Sequence, residues 1–163
     1  MSLYVPLRQG TPYSVYLHAL FDSTDNEFLY YGITKRGWNM RFAEHAKAAM
    51  QEQSRRLFPS KLNELIEARV AELAGQLDAR QKLTGMISAI CAVGLDENSA
   101  MDTEEYLVDK YSLSSKHVKG LNMIPGGREG IRALHKLSLV STAHPHESPH
   151  FRGDSYWPNF VEK

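Results

Sequence analysis

Tyr16, Tyr30, Arg41, His45 and Glu104 are residues of the types that handle phosphates, protons and hard cations. Arg41 and His45 stand four apart, so on one helix they project together. A guanidinium offers a planar fork to phosphate oxygens. A carboxylate holds Mg²⁺, which keeps several waters and takes phosphate oxygens as further ligands. A phenol or imidazole can move the proton of an attacking water. Together these groups could serve metal-assisted cleavage of a phosphodiester. No glycine-rich nucleotide loop suggests different chemistry. The lone Cys91 excludes an internal disulfide and a cysteine zinc site, and its apolar run "MISAICAV" suggests a buried, inert thiol.

The elements that must position these groups are legible in outline. In "PYSVYLHALF" (12–21), Val15, Leu17, Ala19 and Phe21 alternate with Ser14, Tyr16 and His18. "DSTDNE" is turn material and "FLYYGI" a second strand, so residues 12–33 read as a hairpin with Tyr16 and Tyr30 on its non-core face. A helix is expected from about Asn39 to Gln53, with Phe42, Ala46 and Ala49 at helical spacing. Pro59 and Ser60 open another, whose core stripe reads Leu62, Leu65, Ile66, Val70, Leu73 and Leu77. "LTGMISAICAVGL" is a nearly continuous apolar run, the pattern of a central strand. Ser99 and Asp102 resemble a capping box for a helix through about Tyr111. "GLNMIPGGREG" reads as a loop with a tight turn, and "IRALHKL" as a last short helix.

On the helix after Ser99, Ala100, Met101, Leu107, Val108 and Tyr111 cluster on one side. Glu104 falls in the middle of that cluster, and Glu105 roughly 100° away toward solvent. An ionised carboxylate facing a core costs several kcal/mol unless it is paired or binds a metal. Glu104 is therefore either a paired edge residue or a functional one.

The chain has 163 residues, 42% hydrophobic and 23% charged, which suits one globular domain with a core. It shows no apolar run of spanning length and no signal-peptide profile at its start, so a cytoplasmic protein is expected. Net charge is zero, which argues against a general polyanion binder, but the cations are unevenly spread. Lys35, Arg36, Arg41, Lys47, Arg55, Arg56 and Lys61 form one block; Lys110, Lys116, Lys119, Arg128, Arg132 and Lys136 form another. Two such blocks could make one face for a phosphate backbone, with Lys35, Arg36, Lys47, Lys119 and Arg128 as candidates to meet DNA.

Taken in order, these motifs resemble the GIY-YIG endonuclease family. The first motif reads Ser14-Val15-Tyr16 and the second Tyr30-Tyr31-Gly32. Arg41 and His45 follow on a helix, Glu104 lies in Ala100-Met101-Asp102-Thr103-Glu104-Glu105-Tyr106-Leu107-Val108, and Asn122 in Gly120-Leu121-Asn122. The resemblance covers residues 13 to 122. It implies an α+β fold, with a small antiparallel or mixed sheet of about three strands flanked by helices. One domain would span residues 1–140, with a helical insert at about 54–82 and a weakly ordered tail at 141–163. Three departures stand out. Ser14 replaces a glycine, Tyr31 an isoleucine, and Ile33 a lysine found in some members, which leaves Lys35 as a substitute.

The resemblance also implies a mechanism: hydrolysis of a DNA phosphodiester with one Mg²⁺ or Mn²⁺. Glu104 would hold the ion and Arg41 would steady charge on the phosphoryl group. Tyr16, alone or with His45, would be the base. A phenol, with pKa near 10, needs a nearby cation for that task. Tyr30 would hold water or phosphate, and Asn122 would brace the site. The expected partner is double-stranded DNA, and a homodimer is compatible with the insert. The rival expectation is a catalytically silent module that binds nucleic acid or protein on the same fold. "HPHESPH" (144–150) is a weaker metal-binding candidate, and Trp157 and Phe160 could dock on the body or on a partner.

Overall fold

The computed structural model describes residues 12–51, 56–76 and 79–140. In chain order these form β1 (Tyr13–Asp22), β2 (Glu27–Thr34), α1 (Trp38–Met50), α2 (Leu57–Leu73), β3 (Leu83–Leu95), α3 (Glu97–Leu107) and α4 (Gly127–Val140). One π-helical turn, Val108–Ser112, extends α3. The strands make an antiparallel sheet in the order β2-β1-β3, flanked by four helices among the described residues. The fold is α+β, as expected. No described helix is long and apolar enough to cross a membrane.

The hairpin forms where local chemistry asks for it. Asp22 accepts hydrogen bonds from the backbone N–H of Thr24 (2.9 Å) and Asn26 (3.0 Å), and Asp25 turns the chain at φ +58°. Register pairs Tyr16 with Gly32, His18 with Tyr30 and Leu20 with Phe28, so these side chains share one face. That face is not solvated. α1 and α2 cover it, and Leu20, Phe28, Ala49, Phe58, Leu62 and Leu65 pack there as one core. On the opposite face Val15 and Ile33 meet Ala100 and Met101 of α3, and Tyr31 meets Val108 and Leu113. A sheet covered on both sides buries polar residues that alternation alone assigns to solvent. Tyr16 and His18 have no exposed surface and Tyr30 is half-buried.

Several other expectations are corrected. The apolar run Leu83–Leu95 is an edge strand; β1 is central because it pairs with both others. Cys91 on that edge is exposed, not buried. α2 turns Phe58, Pro59, Leu62, Leu65, Ala68 and Ala71 inward, while Val70 and Leu73 face solvent. Leu77 lies outside the described residues. Asp96, not Ser99, caps α3, its carboxylate accepting the Ser99 N–H at 2.7 Å. The α-helix gives way at Val108 to the π turn, closed by Leu113 N–H to Val108 O at 2.8 Å, and Tyr111 is exposed. α1 ends at Met50, and the last helix is a full α4, longer than the short segment expected. The "HPHESPH" segment, Trp157 and Phe160 lie outside the described residues.

Candidate active site

α1 begins at Trp38 after Gly37 and carries Arg41 one turn in. The guanidinium has no exposed surface. Its Nη1 donates to Glu44 Oε2 at 2.9 Å, and the other Glu44 oxygen holds Arg36 at 3.0 Å. Burial works against the Arg41 charge. The Tyr16 and Tyr30 phenols and the Glu44 carboxylate outweigh it, so the group stays more firmly protonated than an ordinary arginine.

Tyr16 crosses the sheet above its partner Gly32. A Cβ at position 32 would stand 2.3 Å from the Tyr16 hydroxyl oxygen, so the phenol occupies the space that any side chain there would need. The Tyr16 ring lies 4.6 Å from the His18 ring and 6.4 Å from that of Tyr30, centroid to centroid. His45, one turn beyond Arg41, packs edge-on against Tyr30 at 5.0 Å and His18 at 5.5 Å, with Phe58 of α2 at 5.1 Å. Burial, with electrostatic interaction with His18, Arg41 and Arg56 adding to it, holds the His45 imidazole well below its ordinary pKa. His45 is therefore a neutral ring at pH 7, and neither nitrogen has a hydrogen-bond partner among the described residues.

Glu104 arrives from α3 fully buried, as helical periodicity predicts. Its Oε2 accepts the N–H of Gly127 at 2.8 Å. Two glycines make this possible. A Cβ on Gly126 would sit 2.7 Å from the Glu104 carbonyl oxygen, and Gly127 adopts φ +57° at the start of α4. Burial pushes the Glu104 carboxyl up to about 8, the Gly127 N–H and Arg41 pulling against it and Glu105 adding to it. Tyr16, Arg41 and Glu104 thus belong to one electrostatically connected group, assembled from β1, α1 and α3.

Asn122 takes a different position. Its Oδ1 accepts from Tyr31 N–H (3.0 Å) and Ser112 Oγ (2.6 Å), and its Nδ2 donates to Tyr31 O (2.9 Å). It clamps β2 from the outside and braces the strand that carries Tyr30. The five candidate DNA contacts are dispersed. Exposed Lys35 lies over the Tyr13 ring at 5.3 Å, and Arg36 pairs with Glu44. Lys47 is exposed in the last turn of α1, and the carbonyl of Lys119 accepts the Leu29 N–H at 3.2 Å. Arg128 pairs with Asp102 and Asn98.

The donor set suits a hard cation in one way only. Among the described residues no three His, Cys, Asp or Glu side chains group to hold a metal. Glu104 would be a single protein ligand to an ion otherwise held by water and substrate, a mode Mg²⁺ adopts.

Residues beyond the expected set also shape the site. His18 has no exposed surface, and its Nδ1 lies 2.8 Å from Ser88 Oγ on β3. Burial, and after it Arg41, lowers its pKa to about 4. Glu44 and Gly127 are the others. Glu44 could have been found from its spacing of three from Arg41, and His18 from sharing the alternation of Tyr16. Nothing local marks Gly127 as a partner of Glu104.

No family model matches the chain, and neither a curated protein nor a solved structure matches it.

Proposed function

We propose that the chain is a metal-dependent DNA endonuclease of the GIY-YIG type. The observation that supports this most is that the buried Arg41 of α1 interacts electrostatically with Tyr16 of β1 on one side and with the buried Glu104 of α3 on the other. Arg41, steered by Glu44, presents its fork to the scissile phosphate and steadies the charge that develops there. Tyr16, as the phenolate that the neighbouring Arg41 guanidinium favours, takes the proton of the attacking water. His45, neutral and one helical turn from Arg41, is the alternative acceptor. Glu104 would hold the divalent ion, which when bound would supply Lewis-acid polarisation of the phosphate and charge stabilisation at the leaving oxygen. Gly127 orients that carboxylate through its N–H.

A second reading draws on one specific observation: Tyr16, Arg41 and Glu104 are closed to solvent. A catalytically silent binding module would keep such a group as a polar core. One experiment separates the two. Purified protein is incubated with supercoiled plasmid and Mg²⁺ or Mn²⁺, with EDTA and Glu104→Ala as controls and circular dichroism to confirm folding. Nicking that is lost in both controls supports the nuclease. A folded wild type that leaves the plasmid intact with every divalent ion supports the silent module. Nicking by folded Glu104→Ala overturns the site.

A further inference from the structure

The two edges of the sheet are treated differently. Along β2, Leu29 N–H donates to Lys119 O, Leu121 N–H donates to Leu29 O at 2.9 Å, and Asn122 occupies both polar groups of Tyr31. That edge is sealed. Among the described residues no strand pairs with the outer edge of β3, which carries no charged residue from Leu83 to Leu95. Natural sheets blunt a free edge with lysine, proline or a very short strand. This strand has thirteen residues and none of those three, and its register shifts lie toward its two ends. Met86, Ile87, Ile90 and Val93 are each about half exposed.

We infer that the β3 edge is the contact surface for a second copy of this chain, joining two sheets into one across a two-fold axis near Ser88. Strand parity supports that register. Leu29 and Tyr31 turn their backbone groups away from β1, so alternation across the sheet turns those of Met86, Ser88 and Ile90 outward from β3. Register shifts fall only outside Gly85–Ile90, which leaves that stretch regular. An antiparallel copy centred on Ser88 sets Ser88 against itself and Met86 against the partner's Ile90 on one face. On the other it sets Ile87 against the partner's Ala89. The strand is thus self-complementary, the condition for an isologous contact.

Area sets the strength. An overlap over residues 85–91, centred on Ser88, is about 23 Å long and about 10 Å thick, on the order of 230 Å² per copy. A standard interface takes about 800 Å² from each partner, so this dimer belongs to the weak, concentration-dependent class.

Cys91, the single cysteine, is exposed on this strand and serves as a reporter. A spin label there, read by pulsed dipolar spectroscopy on the full chain, gives one intermolecular distance. The Ser88-centred register puts the two Cys91 Cα atoms about 20 Å apart along the strands. The expected result is a distance below about 35 Å that grows in amplitude with protein concentration. Sedimentation of unlabelled protein over roughly 1 to 500 µM should show the same monomer-to-dimer shift. Met86→Lys with Ile87→Lys should keep the circular dichroism of the wild type and stay monomeric. A monomer at every concentration, a distance beyond about 40 Å, or a dimer indifferent to both lysines overturns the inference. So does a monomer whose Met86, Ser88 and Ile90 amides are protected from exchange, since another part of the chain would then cover the edge.

Discussion

Glu104 is the residue on which chemistry and stability meet. Its carboxyl has an ordinary pKa of 4.5 and is raised to about 8 in the fold. Below pH 4.5 both folded and unfolded states carry the proton. Between 4.5 and 8 the unfolded chain ionises while the folded one does not, so stability falls as pH rises, at most by about 1.4 kcal/mol per unit. Glu104→Gln removes that titration. Its denaturation midpoint should match the wild type at pH 5 and exceed it at pH 8, and parallel pH profiles would refute the burial argument. Mg²⁺ at pH 8 should raise the wild-type midpoint and leave Glu104→Gln unmoved, because an ion on Glu104 offsets the cost of ionising it. Gly32 permits a second test at this scale. Gly32→Ala should cost about 1 to 3 kcal/mol, since its Cβ would displace the Tyr16 phenol. Tyr16→Ala should recover part of that loss in a double-mutant cycle, whereas additive losses would mean the two sites are independent.

At the scale of elements, β2 depends on a side chain 91 residues away. Asn122→Ala would leave the buried N–H and C=O of Tyr31 unsatisfied and Ser112 without its acceptor. A loss of about 2 to 4 kcal/mol is expected in denaturant unfolding, with faster exchange at the Tyr31 amide. An unchanged midpoint would make the clamp incidental. Elements were also where the sequence was most unevenly legible. The hairpin and the inward turn of Glu104 follow from neighbours two to four residues away, so periodicity finds them. The burial of Tyr16 and His18 depends on α2 covering a face whose own alternation looks solvated. The inward turn of Ala68 and Ala71, with Val70 and Leu73 outward, depends on what packs against α2, which no window on the helix contains. The edge position of β3 depends on which strand sits between the other two, and apolar content does not encode that order.

For the whole molecule, charge sets the terms of any encounter with DNA. The net charge is zero, and Arg36, Arg41, Lys61, Lys116, Arg128 and Arg132 are engaged with acids of their own chain. Binding should be weak at physiological salt. If all five candidate cations meet phosphates, log K should fall against log salt with a slope of about −4 to −5, and Lys47→Ala should reduce it by roughly 0.9. Fluorescence anisotropy with a labelled duplex and Glu104→Gln protein would measure this, and a flat salt response would remove the phosphate backbone as the partner.

The strand order also dictates a sequence of events in time. β1 and β2 are joined by a four-residue turn, Ser23 to Asn26, and such hairpins close within about 1 to 10 µs. β3 returns to the other side of β1 only after α1 and α2 have intervened, and contacts that distant in the chain form late. Until it docks, the central strand is bare on one flank and a charge-free, β-prone segment is adrift. A chain stalled at that stage has two routes open to it, its own β1 or a neighbour's.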